Sequence, residues 1–222
     1  LGEADLVVAG GVENMSRAPL VLSKAESPFS RDQILEDTTV GWRFANPKIE
    51  AAYGVDTNPQ TAENLAREHA IARHDQDACA WRSQRRTEAA RERGILAEEI
   101  APIDVRVGRE TRRMAEDEHP RPGTTLEQLA ALKPLLGPGT SVTAGNASGI
   151  NDGACALLLA SEAAIARHHL DPIVRVTGMA SAGVPPRIMG IGPVTAIRRL
   201  LDRQSLTLDR VVFTNVTNQT ID

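Results

Sequence analysis

Long hydrophobic runs are missing from this 222-residue sequence. No apolar stretch approaches the ~20 residues that cross a bilayer, so no membrane span is expected. Aromatics are scarce: three Phe, two Trp and one Tyr make up 3% of the chain, too few for a surface that stacks bases. An excess of positive charge is also missing. With 25 Lys+Arg against 29 Asp+Glu the formal net charge is −4, which gives no overall attraction for nucleic acid. Cysteine is limited to Cys79 and Cys155. Two such distant thiols exclude a disulfide scaffold, lack metal-ligand spacing and suit a reducing compartment. No basic stretch leading into an apolar one opens the chain, so no secretory signal is expected and the cytoplasm is the expected location. The first residue is Leu1, not Met. What is present is ordinary globular material, 41% hydrophobic and 24% charged. The length allows one large domain or two small ones with a real core.

Along the chain, strand-like and helix-like patterns alternate. Residues 4–11, Ala-Asp-Leu-Val-Val-Ala-Gly-Gly, carry an apolar run from Leu6 into Gly10 and Gly11, the pattern of a strand covered on both faces. Its glycines allow a tight exit or a close approach to something bound. Residues 23–60 lose periodicity and strand Phe29, Trp42, Phe44 and Tyr53 among polar residues. A stretch that long reads as an excursion from the main domain, functional or used in an oligomer contact. Helices are predicted at 62–69 with Thr61 as N-cap, at 75–93 stopped by Gly94, at 126–132, at 161–169 and at 194–203. Strands are predicted at 100–107, 154–160, 173–179 and 210–213, and residues 108–124 read as a surface connection. Strands alternating with helices through glycine loops predict an α/β fold with a largely parallel sheet.

Two glycine loops are candidate ligand sites: Thr143 to Gly153, and Met189-Gly190-Ile191-Gly192-Pro193. Neither is a phosphate-binding fingerprint, because Gly190-x-Gly192 lacks a third glycine and no Gly-Lys-Ser/Thr sequence occurs. By themselves the loops are equally readable as tight turns. Nucleophile candidates are poor. Cys79 lies inside a predicted helix, and Cys155 sits in an apolar strand with no cation nearby to favour a thiolate. Both read as buried fillers. The five histidines show no metal-ligand spacing; His119, in a loop beside Arg121, reads as a side chain facing solvent. The arginines at 82, 85, 86, 91 and 93 read as a solvated helix face.

The motifs Ala9-Gly10-Gly11-Val12-Glu13-Asn14-Met15-Ser16, Thr61-Ala62-Glu63-Asn64-Leu65-Ala66, the helix start Asp75-Gln76-Asp77, Thr143 to Gly153, and Met189 to Pro193 together resemble those of the thiolase family. They follow the family's order and spacing from the first residue to about Leu208. The stretch Glu36 to Phe44, with Ala52-Tyr53-Gly54-Val55-Asp56, is most similar to the 3-oxoadipyl-CoA (β-ketoadipyl-CoA) thiolases of bacterial aromatic catabolism. The resemblance implies a layered α/β fold of βαβαβαββ halves, incomplete here, with an inserted and mostly helical loop domain. Residues 1–24 and 140–170 would belong to the N-terminal half, 25–139 to the insertion, and 171–222 to the start of the C-terminal half.

The implied enzyme is a dimer or tetramer with no nucleic-acid or membrane partner. It cleaves a 3-ketoacyl-CoA with coenzyme A as co-substrate and holds no permanent cofactor and no metal. A cysteine thiolate attacks the keto carbonyl, acetyl-CoA leaves as a stabilised enolate, and CoA thiolate then takes the acyl group. With 3-oxoadipyl-CoA the products are succinyl-CoA and acetyl-CoA. Residue by residue, Ser148 matches the serine that hydrogen-bonds the pantetheine arm. Met189 matches the methionine lining the acyl site, and Arg121 stands where an arginine approaches the CoA nucleotide. Thr57-Asn58 replaces a His-Met pair found near the substrate in many thiolases. Arg43 is a candidate partner for the distal carboxylate of an oxoadipyl chain.

No catalytic residue is carried over. The family's nucleophilic cysteine precedes a glycine matching Gly2, and its histidine and second cysteine lie on motifs past the last residue. Around 215–220 the asparagine–glutamate–alanine–phenylalanine motif is replaced by Asn215-Val216-Thr217-Asn218-Gln219-Thr220. The expectation is therefore an internal piece of a thiolase, inactive alone. Two other readings stand beside it: a CoA-binding or oligomerisation module, and a non-functional truncated product whose half sheet leaves exposed edges.

Overall fold

The computed structural model describes residues 2–25 and 27–211. It divides into two units. One gathers the described residues of Leu1–Val55, Ile150–Val184 and Ile191–Phe213, the other those of Asp56–Gly149 and Pro185–Gly190.

The first unit is built on a ribbon of two long strands, β1 (Leu6–Asn14) and β6 (Asp152–Ala160). They run antiparallel in register from Leu6 opposite Ala160 to Asn14 opposite Asp152. The glycine pair sits inside β1 and does not form its exit. A Cβ on Gly10 would lie 2.4 Å from the Cys155 carbonyl oxygen and 3.2 Å from Ala156 Cα, so the strands can approach only where residue 10 has no side chain. Both ends of the ribbon are tied. Asp152 accepts from the Ser16 N–H at 2.8 Å and the Ser16 hydroxyl at 2.5 Å. At the other end the Ser161 hydroxyl donates to Asp5 at 2.9 Å. Ser161 also caps α6 (Glu162–His168) by accepting from the Ala164 N–H.

A short ribbon, β2 (Leu20–Leu22) with β3 (Leu35–Asp37), and helix α1 (Pro47–Tyr53) fill the region without periodicity. Asn46 caps α1 through Lys48 N–H, with Pro47 in the first turn.

The second unit is mainly helical. It contains α2 (Asn58–Glu68), α3 (Arg73–Glu92), α4 (Ile95–Glu99) and α5 (Leu126–Ala130). Helix α2 starts a turn earlier than predicted. Thr57, not Thr61, is its cap, because Gln60 Oε1 accepts from both Thr57 N–H and Thr57 Oγ1 at 2.7 and 2.9 Å. Helix α3 ends where expected, with Gly94 left-handed at φ 77°. The arginines at 82, 85, 86, 91 and 93 are all exposed, a solvated face. Segment 108–124 is not merely a connection: β4 (Ile103–Val107) turns through Gly108 and Arg109 into β5 (Glu110–Met114) as a hairpin.

Other expectations fail. The pairing among the described residues is antiparallel in all three ribbons, not parallel: an apolar run reports the company its side chains want, not the direction of its neighbour. The strands read as covered are open. Val8, Val12 and Leu157 are 72%, 81% and 66% exposed, because a two-stranded ribbon has two faces and α6 packs only at its end. Cys155 is exposed with them, not a buried filler. Residues 173–179 form no ladder. Their region is held instead by α7 (Gly192–Gln204), whose Gln204, Arg203 and Arg199 side chains donate to the carbonyls of Thr177, Met179 and Ser181. Of the strand predicted at 210–213, Arg210 closes a 3-10 turn, Leu208–Arg210. Residues 212–213 and the altered motif at 215–220 lie outside the described residues. No helix among the described residues is long and apolar enough to cross a membrane.

Candidate functional site

The loop carrying Ser148 is anchored from beneath by two buried carboxylates, both in the second unit. Glu63, 5% exposed on α2, accepts through Oε2 from Ser141 N–H at 2.8 Å, Ser141 Oγ at 2.9 Å and Val142 N–H at 3.3 Å. Its other oxygen lies 3.5 Å from Arg67 Nε. Asp77, 3% exposed on α3, accepts from Arg73 Nε at 2.8 Å and from Asn146 Nδ2 at 3.0 Å. Asn146 then folds the loop on itself. Its Oδ1 accepts from Thr143 N–H at 2.7 Å and its Nδ2 donates to Ser141 O at 3.1 Å.

Arg73 extends the network to α5 and the residues just after it, where Nη2 donates to the carbonyls of Leu129 and Leu132 at 2.8 and 3.1 Å. Buried charges of this kind persist only when their hydrogen-bonding capacity is met, and here both carboxylates meet it with loop backbone, Arg and Asn. Thr143 is fully buried, and its Oγ1 accepts from Gly145 N–H. A Cβ on Gly145 would stand 2.5 Å from Leu129 Cδ2 and from Leu132 Cδ1. The glycine lets the loop lie directly against α5.

Ser148 follows this anchor and is exposed; its hydroxyl has no protein partner among the described residues. Met189 sits in a 3-10 turn, Pro186–Ile191, and is 37% exposed. Asp56 fixes that turn by pairing with Arg187 Nε at 2.7 Å. Hydrogen bonding to Asp56, with its charge, holds the Arg187 guanidinium above its ordinary pKa. Asn64 Nδ2 bridges the pair, donating to Asp56 at 2.9 Å and to the Arg187 carbonyl at 3.1 Å. Arg121 is exposed and curls onto its own loop: Nη1 donates to the carbonyls of Glu118, His119 and Pro120 at 2.6, 2.8 and 3.3 Å. Its backbone N–H donates to Gln84 on α3 at 2.8 Å. Among the described residues no hydrogen bond joins Ser148, Arg121 and Met189 to one another. All three belong to the second unit, each held by its own surroundings.

Sequence reasoning missed the roles of Glu63, Asp77 and Asn146. Each stood inside a quoted motif, but nothing local marks an acidic residue as buried when its partners lie 69 or 78 positions away. Among the described residues no group of three or more His, Cys, Asp or Glu could hold a metal ion.

A family profile described as "Thiolase, N-terminal domain" matches residues 1–163. The chain belongs to the thiolase family. It is 58% identical to the β-ketoadipyl-CoA thiolase of Pseudomonas aeruginosa, over 94% of this chain and 52% of that one. It is 52% identical to the 3-oxoadipyl-CoA/3-oxo-5,6-dehydrosuberyl-CoA thiolase of Escherichia coli K12, over 93% of this chain and 52% of the relative. Among solved structures, human mitochondrial 3-ketoacyl-CoA thiolase superposes with a TM-score of 0.81 at 40% identity, covering 93% of this chain and 51% of that one. The same human enzyme in complex with CoA gives 0.79 at 41% identity, over 94% and 50%. The α/β thiolase fold is thereby established. This thiolase-family chain spans about half the length of the curated relatives it matches.

Proposed function

We propose that this chain serves a thiolase-family acyltransferase that cleaves 3-oxoadipyl-CoA with CoA to succinyl-CoA and acetyl-CoA. The observation that carries the reading is the identity of 58% over 94% of the chain to a β-ketoadipyl-CoA thiolase. In this reading residues 1–24 and 140–170 belong to the N-terminal thiolase half, 25–139 to the inserted loop domain and 171–222 to the C-terminal half. The enzyme is a cytoplasmic dimer or tetramer.

The chain's own contribution is binding. Ser148, on a loop held by Glu63 and Asp77, offers its hydroxyl to the pantetheine arm of CoA. Met189 lines the acyl chain, and Arg121 turns toward the nucleotide end with Nε and Nη2, which its loop leaves unused. Neither Cys79 nor Cys155 matches the family's nucleophile, and Cys155 lies in strand pairing opposite Gly11. The 222-residue chain therefore binds CoA but performs no thiolysis.

Calorimetry of the purified chain with CoA tests this reading. Saturable heat that weakens roughly tenfold in Ser148→Ala supports it, the loss of one good hydrogen bond being worth about 1.4 kcal/mol. Cysteine-dependent turnover of 3-oxoadipyl-CoA by the chain alone overturns the binding-only role, and absence of heat overturns CoA binding by this chain.

A further inference from the structure

One stripe of helix α3 reaches two loops of the second unit. Arg73, Asp77, Gln84 and Arg91 follow one another at spacings of four, seven and seven along the helix, which keeps all four within a narrow arc of its surface. Arg73 donates to the carbonyls of Leu129 and Leu132, and Asp77 holds the Asn146 amide of the Ser148 loop. Gln84 Oε1 accepts from the Arg121 N–H at 2.8 Å, and Arg91 pairs with Glu116. The stripe thus supports the loop with Ser148 and the loop with Arg121 together. Asp77 and Gln84 stand two turns apart, about 10 Å along the axis. All of these residues belong to the second unit.

The Arg121 loop is braced within itself. Arg121 lies between Pro120 and Pro122. Neither proline has an N–H, so Arg121 alone of residues 120–122 offers a backbone donor, and the proline after it biases its backbone to the extended region. The Arg121 carbonyl accepts from Thr124 N–H at 3.3 Å and Thr124 Oγ1 at 2.6 Å, and Gly123 between them is left-handed at φ 74°. On the other side, Nη1 gathers the carbonyls of Glu118, His119 and Pro120. In a loop braced this way, holding one N–H holds the whole segment. Gln84, half-buried on α3, is the group that holds it.

The guanidinium of Arg121 bonds to backbone carbonyls and to no carboxylate among the described residues. Of the acidic residues just before it, Glu116 is taken by Arg91, while Asp117 and Glu118 are exposed. Arg121 is itself exposed, so Nε and Nη2 present an accessible fork for two oxygens of a phosphate. We propose that Gln84 is a positioning residue for coenzyme A. It acts through Arg121, holding that loop against α3 so that the guanidinium meets the phosphates of the nucleotide end. The ligand rests on the function proposed above; the coupling of Gln84 to Arg121 rests on their hydrogen bond and the flanking prolines. Without this acceptor the Arg121 N–H turns to water, at little cost to the fold because the loop lies at the surface. The cost falls on binding, since the ligand must then order the loop and that ordering is subtracted from its affinity.

Calorimetry on the 222-residue chain tests the proposal with three ligands: CoA, pantetheine, which lacks the nucleotide, and adenosine 3′,5′-bisphosphate, which lacks the arm. Gln84→Met keeps the length and helix preference of the side chain and loses the acceptor. It is expected to weaken CoA and the bisphosphate about fivefold and to leave pantetheine unchanged. Ser148→Ala should give the complementary pattern, weakening CoA and pantetheine and leaving the bisphosphate unchanged. In an Arg121→Ala background, Gln84→Met should cost nothing more, as a residue acting through another requires.

Equal losses for all three ligands in Gln84→Met would make Gln84 a support of the fold in general and overturn the proposal. A full further loss in the Arg121→Ala background overturns it as well. CoA binding that Gln84→Met leaves unchanged overturns the proposal while the CoA reading stands. A parent chain that gives no heat with CoA or with the bisphosphate overturns both. If Gln84→Met does not fold, Gln84→Ala, which also lacks the acceptor, replaces it in the same comparison.

Discussion

The ribbon of β1 and β6 and the cluster under the Ser148 loop invert the usual expectation for a core. The ribbon is apolar in sequence and largely open, with Val12 at 81% exposure. The cluster is polar in sequence and closed, with Asp77 at 3% and Thr143 at zero. Backbone pairing holds the ribbon. Its demands fall on spacing, which is why Gly10 matters and Val8 does not. Complementary polar groups hold the cluster, so each buried donor or acceptor there must keep its partner. The same chain therefore contains a region that tolerates side-chain change and one that does not, and hydrophobicity alone ranks them the wrong way round.

The comparison is broken most directly at Asp77. Asp77→Ala takes the acceptor from Arg73 Nε and one of the two acceptors from the Asn146 amide, and about 3–5 kcal/mol of stability should be lost, measured as a drop in the urea midpoint. A loss below 1 kcal/mol would mean that the cluster is no more demanding than the ribbon. Next in size, Gly10→Ala sets a methyl against the backbone of Cys155 and is expected to cost about 1–3 kcal/mol. Gly145→Ala should cost less, because the obstructing atoms are leucine methyls that can turn aside. Equal losses at the two glycines would remove the distinction between backbone-limited and side-chain-limited packing.

A smaller effect is expected at the ribbon's end, where the hydroxyl and then the N–H of Ser16 hold the Asp152 carboxyl below its ordinary pKa. A depressed carboxylate pKa stabilises the fold above the unfolded value and loses that contribution as pH falls through the folded one. The stability gap between the parent and Ser16→Ala should thus be full above about pH 4 and close on acidification. A gap that widens in acid contradicts the assignment. Smallest of all, Val8→Thr on the open ribbon should change stability by no more than about 0.5 kcal/mol. A larger loss would show that the exposed face is covered in solution.

Much of this was legible in the residues. Gly94 marked the end of α3, Ser161 the start of α6 and Pro193 the first turn of α7, because caps and breakers act on their immediate neighbours. The motifs around Glu63, Asp77, Ser148 and Met189 carried the family resemblance, and that resemblance was right. The start of α2 was misread because Thr61, a good cap by type, is buried in the helix and donates to the Asn58 carbonyl. Thr57 takes the capping role one turn earlier, where Gln60 can reach back. The hairpin of β4 and β5 was missed because its charged second strand, Glu110–Met114, carries no apolar alternation.

The sequence alone determined the end of α3, the starts of α6 and α7, and the family, all of which follow from local backbone preference or from motif order. Tertiary structure alone decided which strand β1 would pair with and in which direction. It alone turned Glu63 and Asp77 from acidic residues on helices into supports of the Ser148 loop. These outcomes depend on groups brought together across the chain, and the free energy of a buried charge is set by what surrounds it rather than by its neighbours in sequence.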